Sequence, residues 1–259
     1  MIKFFRRIRQ ELLSDGKFYK YLLYAVGEIV LVVIGILIAL QIDSWNQDKK
    51  NRKLEQQYYC RLLEDVKQDY SNYEYSLELL NVRINANNIM IQKLLDDTLP
   101  LESITPNLLK SVKFSNRNYR ATTDALEDIK SSGNLNILTD LSVKNKLASY
   151  YESMARTSSI IETNGKAITD KRFFESKDFV SSGWIKLAQQ LNGIDTTKVD
   201  LDLLNSKVNF TAEIREIMLN DAMFYLGINA RNKQILKSVE NEILSMIELL
   251  NSKCQKPND

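Results

Sequence analysis

The residues able to carry chemistry are few, and their spacing is uninformative for catalysis. The chain has no histidine, which removes the commonest general base, the commonest zinc ligand and the usual pH switch. Cys60 and Cys254 lie far apart and form neither a CxxC motif nor a zinc pattern. They read most simply as two free thiols, and pair only if the chain folds back on itself in an oxidising compartment. Asp195, Asp200 and Asp202 lack the glycine and carboxylate spacing of a calcium loop, so capping and solvation explain them better. Asn209-Phe210-Thr211 matches the glycosylation tripeptide, a pattern chance supplies often, and carries no weight. The expectation is a protein that is no enzyme and holds no cofactor or metal.

Glu28 is the ionisable group whose setting is unusual, because it sits inside the apolar run from Tyr21 to Ile42. A helix of about 20 residues rising 1.5 Å each spans a hydrocarbon core about 30 Å thick, so the run predicts one transmembrane helix over residues 21–42. It is too long for a signal-peptide core, and Ala39-Leu40-Gln41-Ile42-Asp43 offers no cleavage site. Tyr19, Tyr21, Tyr24 and Trp45 stand at the two borders, where amphipathic rings prefer the headgroup level. Tyr21, Ala25, Glu28, Val32, Gly35, Ala39 and Ile42 alternate steps of four and three and share one face. Gly35 and Ala39 permit close backbone approach and Glu28 gains by pairing with a second helix, so self-association through this face is the preferred expectation. A tolerated acid near the boundary is the plainer alternative, and an ion pathway would need further polar groups in the span.

Charge divides unevenly about this segment. Lys3, Arg6, Arg7, Arg9, Lys17 and Lys20 precede it, against Lys49, Lys50, Arg52 and Lys53 just after, which places the N-terminus in the cytoplasm and the larger part outside it. In a Gram-negative cell that means the inner membrane with a periplasmic domain. Residues 1–20 form a basic arm in which Ile2, Phe5, Ile8 and Leu12 recur at helical steps before Ser14-Asp15-Gly16. This arm reads as a topology signal ahead of a lipid-contact helix. Beyond the span, acids and bases nearly balance, so no basic face exists for nucleic acid.

The elements that position these groups are long helices. Eight Gly and three Pro leave few turns, and the fold class predicted is all-α: one N-terminal transmembrane helix followed by an elongated antiparallel helical bundle. Tyr59, Leu63, Val66, Tyr70, Tyr73, Leu77, Leu80, Ile84, Asn87, Ile91 and Leu94 alternate steps of four and three. That spacing predicts a juxtamembrane helix over residues 43–98, unbroken to Asp97 and ended by Pro100 and Pro106. Three bulky tyrosines and a polar Asn87 favour packing inside the chain over a parallel coiled-coil dimer. Residues 99–259 supply the rest of the bundle. Leu147, Tyr151, Met154, Ser158, Ile161, Gly165 and Ile168 form a second stripe, and Leu236, Val239, Ile243, Met246 and Leu250 a third. A short helix with Trp184 and Leu187 should end at Asn192-Gly193.

Between the first two stripes, Asp124-Ala125-Leu126-Glu127 suits an N-cap with a reciprocal partner, and Ser132-Gly133 a stop. A helical hairpin packed on the bundle follows from this. Tyr119, Arg120, Tyr150 and Tyr151 are then a candidate interaction surface, although a packing corner of half-buried tyrosines is the more ordinary outcome.

The opening Met1-Ile2-Lys3-Phe4-Phe5-Arg6-Arg7-Ile8-Arg9, the span from Gly27-Glu28-Ile29-Val30 to Ile42, and Trp45-Asn46 together resemble a family of single-pass bacterial membrane proteins classed only as a domain of unknown function. Ser131-Ser132-Gly133-Asn134-Leu135 and Tyr150-Tyr151 are similar to it as well. The resemblance implies an envelope protein in which Glu28 belongs to the shared motif, and it carries no activity. The function expected is a non-enzymatic, membrane-anchored helical interaction module whose partners are lipid, a second copy or another envelope protein, with no nucleic acid. A ligand-sensing domain acting through a membrane partner is the alternative.

Overall fold

The computed structural model describes residues 18–112, 119–175 and 178–255. Most of the expected arm, with its amphipathic stripe, lies outside the described residues. Among the described residues every regular element is helical, with no strand. The elements are α1 (Phe18–Leu94), α2 (Leu101–Ser111), α3 (Asp124–Ser131), α4 (Leu141–Asp170), α5 (Trp184–Gln190), α6 (Leu201–Asn205), α7 (Ala212–Ser238) and α8 (Glu240–Cys254). A 3₁₀ turn at Asn134–Asn136 follows α3 and a π turn at Lys171–Glu175 follows α4. Contacts divide the chain into a first unit ending at Gln56 and a second spanning Gln57–Pro257.

In the first unit, α1 carries an apolar stretch long enough to cross a membrane, none of it buried by the rest of the chain. Leu31 and Ile42 are 70% and 60% exposed, an arrangement that water disfavours and a hydrocarbon solvent accepts.

The second unit is a bundle of four legs. Of the α1 stripe, Tyr59, Leu63, Val66, Tyr73, Leu80, Asn87 and Leu94 are buried, with Tyr58, Leu62, Asp69, Ala86 and Met90 buried beside them, while Tyr70, Leu77, Ile84 and Ile91 are half-buried. The stripe is covered from within the same chain, as the packing of Met90 and Leu94 against Leu101, Ile104, Leu108, Ile168, Ile214 and Tyr225 shows at one end. Cross-links give the directions. Residues 58, 61, 65 and 69 of α1 meet 134, 128, 125 and 122 in turn, so the α2–α3 leg returns antiparallel to α1. Along α4, Tyr150 meets Asp69, and Ile168 packs with Met90 and Leu94 of α1, so α4 runs parallel to α1. Asn164 bonds Asn232, and Cys60 meets Cys254, so α7 and α8 run back against both. The order is therefore up, down, up, down.

Local signals account for most element ends. Asp140 caps α4 by accepting from the Ser142 and Val143 amides, and Thr211 caps α7 by accepting from Ile214 N. Gly133 takes φ 72° just past α3, where a side chain would be strained, as the Ser132-Gly133 stop requires. Helix α5 contains Trp184 and Leu187 and ends before Asn192 at φ 53°. The Asp195 carboxylate accepts from Thr197, and Asp200 accepts from the Asp202 and Leu203 amides, so these acids act as caps.

Four expectations are corrected. Helix α1 ends at Leu94, short of Asp97, and Pro106 does not terminate a helix but lies inside α2 on an exposed turn. A proline there forfeits only the bond to the Glu102 carbonyl, which water can replace. The α3 capping box does not form, because Thr123 and not Asp124 occupies the N-cap and makes no side-chain cap bond. The two cysteines are not free: Cys60 and Cys254 form a disulfide with Cα atoms 4.8 Å apart. Both belong to the second unit, where the fourth leg brings residue 254 back beside residue 60.

Candidate functional site

The absent cap on α3 leads to the most elaborate polar cluster in the second unit. Asp65 and Asp69 are four residues apart on α1 and so share a face. Asp65 Oδ2 accepts from Ala125 N at 2.8 Å, and Asp69 Oδ1 accepts from Thr122 N at 2.6 Å. Asp65 thus satisfies an orphan amide of the first turn of α3 in place of a local cap, Asp69 holds the Thr122 amide just ahead of it, and the nearby charge suits the positive helix end. Tyr150 completes the cluster by donating from its hydroxyl to Asp69 Oδ2 at 2.7 Å. Around it, Asn134 Nδ2 donates to Tyr58 Oη at 2.7 Å, and Arg61 pairs with Asp128. These contacts clamp the segment from Thr122 to Asn134 onto α1.

Asp69 is fully buried. Burial raises its pKa above the usual carboxylate range, while the Thr122 amide and Tyr150 hydroxyl pull it back down. Burial also raises Asp65, against the Ala125 amide. The raised value means that charged Asp69 is a cost the fold carries. Its contribution to stability is fully present below the unfolded-state pKa of about 3.9 and is lost as pH rises through the higher folded value. Denaturant midpoints of wild type and Asp69→Asn, compared between about pH 4.5 and pH 7.5, should show the stability advantage of wild type shrinking as pH rises. A constant difference would contradict the raised pKa. The comparison cancels titrations common to both proteins, such as that of Asp140, whose pKa the Lys253 ammonium lowers.

The residues expected on an interaction surface separate into two kinds. Tyr119 and Tyr150 are buried, and the Tyr119 hydroxyl donates to Met154 Sδ at 3.3 Å while Ser158 Oγ donates to its carbonyl at 2.7 Å. Both rings belong to the packed corner between the hairpin and α4. Arg120 is exposed and pairs with Glu162 at 3.3 Å, and Tyr151 is half-buried with its ring edge-on to Tyr150. Arg120 and Tyr151 line a groove of about 890 Å³ between the hairpin and α4, with Glu127, Lys130, Glu162 and Lys166 among its walls. Among the described residues no three His, Cys, Asp or Glu side chains gather to hold a metal.

Glu28, Gly35 and Ala39 lie in the first unit. Gly35 and Ala39 are exposed, Glu28 is half-buried, and a Cβ added at Gly35 would meet nothing within 4 Å.

A model of a family of unknown function, DUF6090, matches residues 28–212. The chain belongs to this family. No curated protein and no solved structure matches it. The DUF6090 match takes in Glu28, the apolar stretch, Asp65, Asp69, the hairpin and α4, and stops at the first residue of α7. Arg215 and Cys254 therefore lie outside the DUF6090 match although the fold uses both.

Sequence reasoning passed over Asp65 and Asp69. The available signal was position: Asp69 stands three after Val66 and four before Tyr73, so it faces inward on the stripe, where a carboxylate must find donors.

Proposed function

We propose that this protein is a non-enzymatic, membrane-anchored interaction module of the bacterial envelope, held in the inner membrane by α1 with its helical bundle on the periplasmic side. The observation that carries the reading is the uncovered apolar stretch of α1, continuous within one helix with the residues that build the bundle. The basic residues ahead of it support a cytoplasmic N-terminus. The Cys60–Cys254 disulfide supports an oxidising compartment for the bundle, since the cytoplasm keeps such pairs reduced. The exposed groove beside Arg120 and Tyr151 offers the bundle's contact surface, and Glu28, Gly35 and Ala39 the contact face of the span.

Crosslinking in living cells, followed by pull-down and mass spectrometry, tests this reading. The native chain should capture a second copy or a specific envelope protein, and Glu28→Leu and Gly35→Leu should reduce that capture severalfold. Gly35→Leu meets open space within the chain, so it perturbs association and not folding. Capture that is nonspecific, or unchanged in both variants, would refute the role given to this face. Alkylation before lysis, followed by non-reducing mass spectrometry, should find residues 60 and 254 joined; two alkylated thiols would place the bundle in the cytoplasm.

A further inference from the structure

The chain contains two Asn-Gly pairs, Asn164-Gly165 and Asn192-Gly193. Asparagine is a chemically labile residue, and a following glycine protects it least, because no Cβ screens the glycine's own backbone nitrogen. By sequence the two pairs are alike, and the fold separates them. Asn164 is 8% exposed within α4, its Nδ2 donates to Asn232 Oδ1 at 2.6 Å, and Gly165 is buried beside it. Helical backbone on both sides keeps the Gly165 nitrogen in the hydrogen-bond ladder.

Asn192 is exposed in the turn after α5, and among the described residues its carboxamide makes no hydrogen bond. Its backbone takes φ 53°, a left-handed conformation that asparagine tolerates better than most residues. This conformation closes α5: Asn192 N donates to the Gln189 carbonyl at 3.0 Å and Gly193 N to the Ala188 carbonyl at 2.8 Å, the paired bonds of a Schellman cap. The Gly193 nitrogen is therefore restrained by one hydrogen bond in an exposed turn, of the kind that opens locally while the rest of the protein stays folded.

We propose that Asn192 is a site of spontaneous, one-way modification to isoaspartate and aspartate, and that Asn164 is not. When the turn opens, the Gly193 nitrogen gives its proton to solvent and attacks Asn192 Cγ. A new C–N bond forms, the Cγ–Nδ2 bond breaks, and ammonia leaves. Water then opens the five-membered imide at one of its two carbonyls, giving aspartate or isoaspartate. The sum consumes a water and releases an ammonia, with no change of oxidation state. Either product places a carboxylate at the C-terminal end of α5, beside carbonyls that already concentrate negative charge. Isoaspartate also adds a methylene to the main chain, so the two cap bonds cannot both be kept and the end of α5 loosens as the protein ages. The inference rests neither on the interaction role of the span nor on which side of the membrane the bundle occupies.

Peptide mapping by mass spectrometry of the full chain in detergent, aged in warm, mildly alkaline buffer, tests it. Residue 192 should convert at least about tenfold faster than residue 164, to a mixture of isoaspartate and aspartate that electron-transfer fragmentation separates. In denaturant neither pair is shielded, and the two rates should fall within about threefold of each other. Gly193→Ala should slow conversion at residue 192 at least about fivefold, because its Cβ crowds the attacking nitrogen. That Cβ would meet only the Ala188 carbonyl oxygen, at 3.4 Å, and Gly193 does not have the left-handed φ of Gly133 or Gly183, so the variant should fold. No conversion at residue 192, conversion at residue 164 as fast as at 192 in the folded chain, a tenfold gap that persists in denaturant, or an unchanged rate in Gly193→Ala would overturn the proposal. If Gly193→Ala does not fold, the comparison of the two residues in native and denatured wild type decides it.

Discussion

Replacing Arg215 by methionine is expected to lower the unfolding free energy by about 3 to 5 kcal/mol. The side chain enters from the first turns of α7 and reaches the frayed end of α1, where the last carbonyls have no helical partner. Nη1 donates to the carbonyls of Asp96 at 2.9 Å and Leu94 at 3.4 Å, and Nη2 to those of Leu99 at 2.5 Å and Asp97 at 3.4 Å. Phe210 covers the guanidinium, 4.6 Å from its ring centre. One planar fork thus closes α1, shapes the turn into α2 and fixes α7 against both. Lysine brings the charge without the fork, so Arg215→Lys should recover less than half of the loss. The ion pair is not the reason: Asp97 lies 3.7 Å from Nε and is 92% exposed, where such pairs contribute about 0 to 1 kcal/mol. Asp97→Ala should therefore change little. Chemical denaturation of the full chain in detergent measures all three variants, and equal losses in Arg215→Met and Asp97→Ala would show that the charge and not the carbonyl fork matters.

Opening the Cys60–Cys254 bridge should cost a similar amount by a different route. The bridge closes a loop of 194 residues, for which the chain-entropy account gives about 5 kcal/mol, with about 2 to 5 typical of native bridges. Cys254→Ser should therefore lower the denaturation midpoint sharply, and reductant should do the same to wild type while leaving the variant unchanged. Lys253 limits the local damage, because its ammonium still reaches the Asp140 carboxylate that caps α4. A reductant effect on Cys254→Ser equal to that on wild type would show that the bridge is not its cause.

What could be read from the chain in advance was whatever repeats locally. The α1 stripe, the α4 stripe and the run from Leu236 to Leu250 announce themselves because a helix places every third or fourth residue on one face. Gly133 announced a stop because its backbone conformation is local too. The failures share a cause. Asp124 looked like a cap until Asp65 and Asp69, about sixty residues earlier, supplied the acceptors from another helix. Arg215 has no sequence neighbour that explains it, since its partners are carbonyls more than a hundred residues away. The cysteines had to wait for the fourth leg to return. The groove residues fared in between: Tyr119 and Tyr150 proved to be walls of the core, Arg120 was left exposed, and Tyr151 stayed half-buried in the groove wall with its hydroxyl buried.

The disulfide also has a mechanical meaning. Polypeptide enters the bundle at Gln57, and the last helix ends at Cys254 back beside Cys60, so the bridge joins points within a few residues of entrance and exit. Tension applied between that entrance and that exit would run through a single covalent strut, leaving the four legs unloaded. Drawn between handles at those two points, the oxidised bundle should lengthen by only a few residues, and should unravel only once reductant has cut the strut. A tether attached at its last helix would thus be as firmly fixed as one attached at its first.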